Sequence, residues 1–186
     1  MKNLKLNSKN YFSIFMIISI LVWSVGFVIP LIMQDNNIAD FTQDFRNSRD
    51  EFMEFKQILV NNLNAAFSIL IFGFFTLGIY SVLMIFLNGF VLGIHVDYAL
   101  NSVNIPLGII LKSILPHFLE YVALWISMAL SLYGIIIIHR LCKSEPGMLT
   151  GDEVRLLIHA SLIILLFITM AAFIEVKISL PVILQD

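Results

Sequence analysis

Apolar residues fill this chain in long blocks separated by short polar stretches, and the blocks have the length of membrane spans. Tyr11 to Met33 carries no charge. About 20 residues of helix cross a hydrocarbon core, so this run is predicted to span. Lys2, Lys5 and Lys9 precede it, which predicts a cytoplasmic N-terminus. The run is too long for a signal-peptide core, and no small-x-small cleavage site follows it, so it reads as a retained signal anchor.

Gln34 to Lys56 is the only sizeable polar stretch. Within it Phe41, Phe45, Phe52 and Phe55, followed by Leu59, recur at steps compatible with 3.6 residues. The pattern predicts an amphipathic helix over roughly residues 40–58, on the outer side by topology. Its four phenylalanines would either rest on headgroups or the bundle, or dock an extracytoplasmic partner.

Leu63 to Val96 is too long for one span and must fold back. A turn near Gly78–Ser81 is favoured, giving spans of about 61–80 and 82–98. The alternative break is the Asn88-Gly89 pair, which would bury Asp97 and run a longer span towards Leu111. In the first register, residues 105–115 form a short interfacial or re-entrant helix, too short to cross. Pro116 then opens a new helix, where its missing N–H is tolerated, and a span follows over about 117–138. The last span covers about 155–174 and leaves Glu175–Asp186 as an outer tail. The expected fold is one all-α membrane domain over residues 1–186: a polytopic bundle of five spans, N-terminus in and C-terminus out. Lys2, Lys5, Lys9, Arg140, Lys143 and Arg155 flank the cytoplasmic ends in this arrangement.

Composition agrees. Hydrophobic residues make up 59% of 186 and charged ones 13%, with a mean hydropathy of +0.93. A soluble domain of this size cannot hide so much apolar surface. The net charge of −2 gives nucleic-acid binding no electrostatic footing. Cys142 has no second cysteine for a disulfide, zinc or redox pair.

Polar residues lodged inside the apolar blocks are the candidate chemistry: Asn61, Asn62, Asn64, Asn88, His95, Asp97, His117 and Glu120. An ionisable side chain at mid-membrane costs roughly 2.5–3.5 kcal/mol on insertion scales, so these are expected to face protein or water. Asn61, Asn64 and Ser68 share one helical face, as interhelical glue or as the wall of a polar passage. Gly89 and Gly93 make a small-x-x-x-small step, and Gly73, Gly78 and Pro116 are further candidates for close packing or bending. His117 and Glu120, three apart, suit a polar clamp, a proton relay or ligand site, or a metal site recruiting His95 or Asp97. No Gly-x-Ser-x-Gly, phosphate-cradling loop or paired intramembrane Asp occurs, so neither catalytic residues nor a cofactor or metal are assigned.

An ordered set of motifs goes further. Phe55-x-x-Ile58-Leu59-x-Asn61-Asn62, Ala65-x2-Ser68, Gly73 and Gly78, Asn88-Gly89-x3-Gly93, and Pro116-His117-x2-Glu120 together resemble the integral-membrane stage II sporulation protein M family over roughly residues 50–175. Phe118 stands where the family pattern has glycine. The resemblance implies about five spans, a cytoplasmic N-terminus and no enzymatic activity. It further implies a scaffold that helps hold peptidoglycan-degrading proteins at the membrane during engulfment, or an accessory subunit of circular-bacteriocin export or immunity beside an ABC-type ATPase. Expected partners are membrane lipid and other membrane or cell-wall proteins, with no nucleic acid; self-association is left open.

Overall fold

The computed structural model describes residues 8–33, 51–101, 106–142 and 150–179. Among these, every long element is a helix: α1 (Ser8–Met33), α2 (Glu51–Phe75), α3 (Ile79–Asn101), α4 (Leu107–Cys142) and α5 (Gly151–Ile174), closed by a π-helical segment, Glu175–Ser179. All five α-helices are long and apolar enough to cross a membrane. Helices suit this sequence because lipid offers no partner for backbone N–H and C=O groups, so each span must satisfy its own.

The bundle is organised around α4, which packs against each of the other four helices. From Ala123 to Gly134 every α4 residue is buried. Around it Ile69 of α2, Ile85 of α3, Leu124 and Met128 of α4 and Ile168 of α5 are fully enclosed. The outer helices turn the opposite faces outward: Leu21 and Val25 on α1, Phe67 and Phe72 on α2, Leu83 on α3, Leu162 and Leu166 on α5 are exposed. Large apolar side chains left bare in this number make a surface for acyl chains rather than water.

Glycines set the closest approaches. On α3, a Cβ at Gly89 would collide with the Trp23 carbonyl of α1, and one at Gly93 with the Phe27 carbonyl. Gly26 of α1 meets the Phe86 carbonyl in the same way. The three permit α1 and α3 to lie backbone to backbone, in parallel. This explains why Asn88-Gly89 is no break. The helix runs straight through it, with the Asn88 amide returning to the Met84 carbonyl at 2.8 Å.

The turn between α2 and α3 falls at Thr76–Gly78. Leu77 has φ 52° and Gly78 φ 87°, both left-handed. Gly78 N–H donates to Gly73 O at 2.7 Å and Leu77 N–H to Phe74 O at 3.3 Å. That bond pair is the Schellman closure of a helix C-terminus. The break therefore starts two residues before the expected Gly78–Ser81 turn and shares Gly78 with it, and α2 begins at Glu51, ten residues ahead of the expected span at 61–80.

Two further expectations change. Residues 107–115 are not a separate short helix: α4 continues through Pro116 as one helix of 36 residues. Pro116 forfeits one backbone bond, but it is fully buried among neighbouring helices, the setting in which membrane helices carry proline. The first residues of the expected outer tail, Glu175–Ser179, wind as a π-helix packed on α4 and α5. Most of the amphipathic stretch, including Phe41 and Phe45, lies outside the described residues. Its last part, from Glu51, forms the first turns of α2 in line with the span.

Candidate functional site

Buried polar groups gather at three levels along α4. At the end where α4 turns into α5, Thr150 caps α5 in a capping box: Glu153 N–H donates to Thr150 Oγ1 at 3.3 Å, and Thr150 N–H donates to Glu153 Oε2 at 2.8 Å. The box leaves the other Glu153 oxygen free to face α4. There Tyr133 Oη donates to it at 2.5 Å and Arg140 Nη1 at 2.6 Å. Glu153 is 0% exposed and Arg140 25%. A buried carboxylate accepting from a backbone N–H, a phenol and a guanidinium keeps its charge satisfied in a poor solvent.

Two residues before Tyr133 on α4, close to the α2–α3 turn, the Ser81 hydroxyl of α3 meets the Ser131 hydroxyl of α4 at 2.6 Å and donates to the Ile69 carbonyl of α2 at 2.8 Å. Three helices are joined through two small side chains. Gly73 is what admits them: a Cβ there would strike both hydroxyl oxygens. Gly134, one turn further along α4, accommodates the Phe74 ring in the same manner.

The third level is at the opposite end of α4. His117 Nδ1 lies 3.4 Å from Glu120 Oε2, with His117 35% and Glu120 13% exposed. Glu175 of the π-helical segment is within electrostatic reach of both, and His95 of α3 within reach of His117. Two imidazoles and two carboxylates therefore converge from three elements. The Tyr121 ring packs tilted against Trp23 at 5.0 Å, and Trp125 meets Trp23 edge-on at 5.5 Å. This aromatic layer separates the ionisable group from the interior. Among the described residues, no group of three or more His, Cys, Asp or Glu is arranged to hold a metal ion.

The predicted polar residues divide. His117, Glu120 and His95 come together. Asn62 lies on the inward face of α2 with Ile58, Ala66 and Ile69, and its amide nitrogen is buried without a hydrogen-bond partner. Asn62 stands eleven residues before Gly73, and Glu120 eleven before Ser131. Because α2 and α4 run parallel and Gly73 abuts Ser131, Asn62 is level with Glu120. Asn88 binds its own helix, and Asp97 accepts from Asn101 at 2.7 Å. Asn61 and Asn64 are exposed on the outer face of α2. Phe55 is half-buried.

Sequence reasoning missed Tyr133, Glu153 and Ser81. Thr150-x-x-Glu153 is a visible capping-box signature, but nothing local shows that the same carboxylate reaches across to α4.

Four apolar helices around a fifth, buried one, tied by polar contacts towards both ends, define a polytopic helical membrane protein. The chain belongs to the stage II sporulation protein M family, whose model matches residues 11–180. It is 29% identical over 167 residues to an uncharacterized protein, MJ0793, of Methanocaldococcus jannaschii, covering 88% of this chain and 92% of that one. No solved structure matches it.

Proposed function

We infer that the protein is a non-enzymatic scaffold or accessory subunit of a membrane complex, holding a partner on its extracytoplasmic side. The observation that carries this reading is the way the most fully buried polar groups are used. Ser81, Ser131, Tyr133 and Glu153 each bond to another helix of the bundle. Such contacts fix one arrangement of helices, as a platform requires, and leave no polar face lining a continuous passage at these levels. Cytoplasmic placement of the α4–α5 turn, and with it of the N-terminus, is supported by Arg140, Lys143 and Arg155 around that short loop. The family's role in engulfment suggests a cell-wall hydrolase as the held partner.

The docking element is the stretch bearing Phe41, Phe45, Phe52 and Phe55. Replacing Phe41, Phe45 and Phe52 together with Asp should leave the protein in the membrane fraction and remove co-purifying proteins. Undiminished co-purification from that variant counts against the reading.

A second reading, a membrane subunit of an export or immunity system working with an ABC-type ATPase, draws on the convergence of His95, His117, Glu120 and Glu175. Under it, Glu120→Gln should stop flux in liposomes at unchanged thermal stability.

A further inference from the structure

The outer face of α2 carries a pattern that lipid alone does not suit. Gln57, Asn61, Asn64, Ser68, Ile71 and Phe75 follow one another at steps of four, three, four, three and four residues, the spacing of a helix-pairing seam. The inward face of the same helix, Ile58, Asn62, Ala66, Ile69 and Gly73, is separate from it and already packed on the bundle. All seam positions except half-buried Ser68 are exposed.

Depth makes this face costly. The apolar part of α2 runs from Phe55 to Phe75. Asn64, nine residues in, lies about 13 Å from its start at 1.5 Å per residue, near the middle of a hydrocarbon core about 30 Å thick. Asn61 lies about 9 Å in by the same measure. A long cationic chain can snorkel from such depths to the headgroups, whereas a carboxamide on one methylene cannot. An amide without a partner in hydrocarbon is unfavourable by a few kcal/mol, so this face needs a cover that hydrogen-bonds.

We propose that α2 is a self-association surface, covered by the same seam of a second copy of this chain. Two arguments select that occupant. A carboxamide both donates and accepts, so it pairs with its own kind without any complementary partner chemistry. Two copies of one membrane protein also insert with the same orientation, so the two-fold axis relating them runs along the membrane normal. Their α2 helices then lie parallel and in register, with Asn61 opposite Asn61 and Asn64 opposite Asn64. Ile71 and Phe75 continue the contact as an apolar layer towards the α2–α3 turn. This surface is distinct from the phenylalanine stretch proposed for docking and survives if that proposal fails.

The test uses the full chain with Cys142→Ser, carrying Asn61→Cys or Asn64→Cys singly, oxidised in native membranes. Both variants should give disulfide-linked dimers, while Ile163→Cys, exposed on α5, should give few. Cross-linking at 61 and 64 no stronger than at 163 overturns the proposal. In detergent, Asn61→Leu with Asn64→Leu should weaken dimerisation about tenfold, the size expected of two interhelical carboxamide layers. Monomer thermal stability should be unchanged. An unaltered monomer–dimer equilibrium, or wild-type protein that is monomeric and acquires a cover only from another protein, also overturns it.

Discussion

Tyr133 and Glu153 are twenty residues apart in the chain and 2.5 Å apart in space, joined where no water reaches the carboxylate. Arg140 completes the group from the rim. Glu153 thus both closes the capping box of Thr150 at the start of α5 and anchors that helix to α4, so one side chain fixes the start of a helix and its position.

Removing that carboxylate strands a buried phenol and a guanidinium. Glu153→Ala should lower stability by about 3–5 kcal/mol, the range for breaking a buried ion pair from one side. Tyr133→Phe removes one charge-assisted bond and should cost about 1.5–3 kcal/mol. Thermal unfolding in mild detergent reads both, and a wild-type midpoint for Glu153→Ala would remove the anchor from the account.

The serine bridge makes a non-additive prediction. Gly73→Ala drives a methyl group into the Ser81 and Ser131 hydroxyls and should cost about 1–3 kcal/mol through overpacking. Adding Ser81→Ala frees space, so the double variant should be less destabilised than the two single changes summed. Strict additivity in the same unfolding assay would mean the three residues do not touch.

At the α1–α3 contact the obstruction is backbone carbonyl, which cannot rotate away. Gly89→Val should push the two helices apart and change the emission of Trp23, whose ring packs on Phe27 and Tyr121. An unchanged spectrum with full stability would show that the close approach is not needed.

Cys142 offers a topology reporter that needs no engineering. It is the single cysteine of the chain and is exposed at the end of α4. With the N-terminus in the cytoplasm, a membrane-impermeant maleimide should label it only after cells are permeabilised. Labelling of intact cells reverses the proposed orientation.

His117 and Glu120 separate the two functional readings by stability as well as by flux. If their contact is a clamp, His117→Ala should lower the unfolding midpoint and leave partner binding intact once the protein is inserted. A variant as stable as wild type that loses transport would favour the passage.

Sequence patterns located the five spans because long uncharged runs have one solution in lipid. They misplaced the ends. The α2–α3 turn is set by Leu77 in a left-handed conformation, which its residue type does not announce. Asn88-Gly89 resembled a break because the pair is a breaker in water-soluble loops; here glycine serves the approach of α1 instead. Pro116 looked like a helix start for a similar reason, and its enclosure by neighbours is a tertiary fact. The site was half legible. His117 and Glu120 are close in sequence and therefore visible, whereas Glu175 and Glu153 join their groups only when α5 has packed. Burial was harder still: Asn61, Asn62 and Asn64 look alike in the sequence, yet a rotation of about 100° per residue turns one inward and two outward.

The central position of α4 bears on how the molecule is made. Synthesis begins at the N-terminus, so α1 and α3, zipped by their glycines, can pair while the axis of the bundle is still in the ribosome. The inward face of α2 has an early companion at one end, where Ser81 of α3 bonds the Ile69 carbonyl. Until the fourth helix arrives, the Asn62 end of that face must be sheltered by lipid, by the insertion machinery or by an emerging sister chain, which makes that interval the vulnerable moment in this protein's assembly.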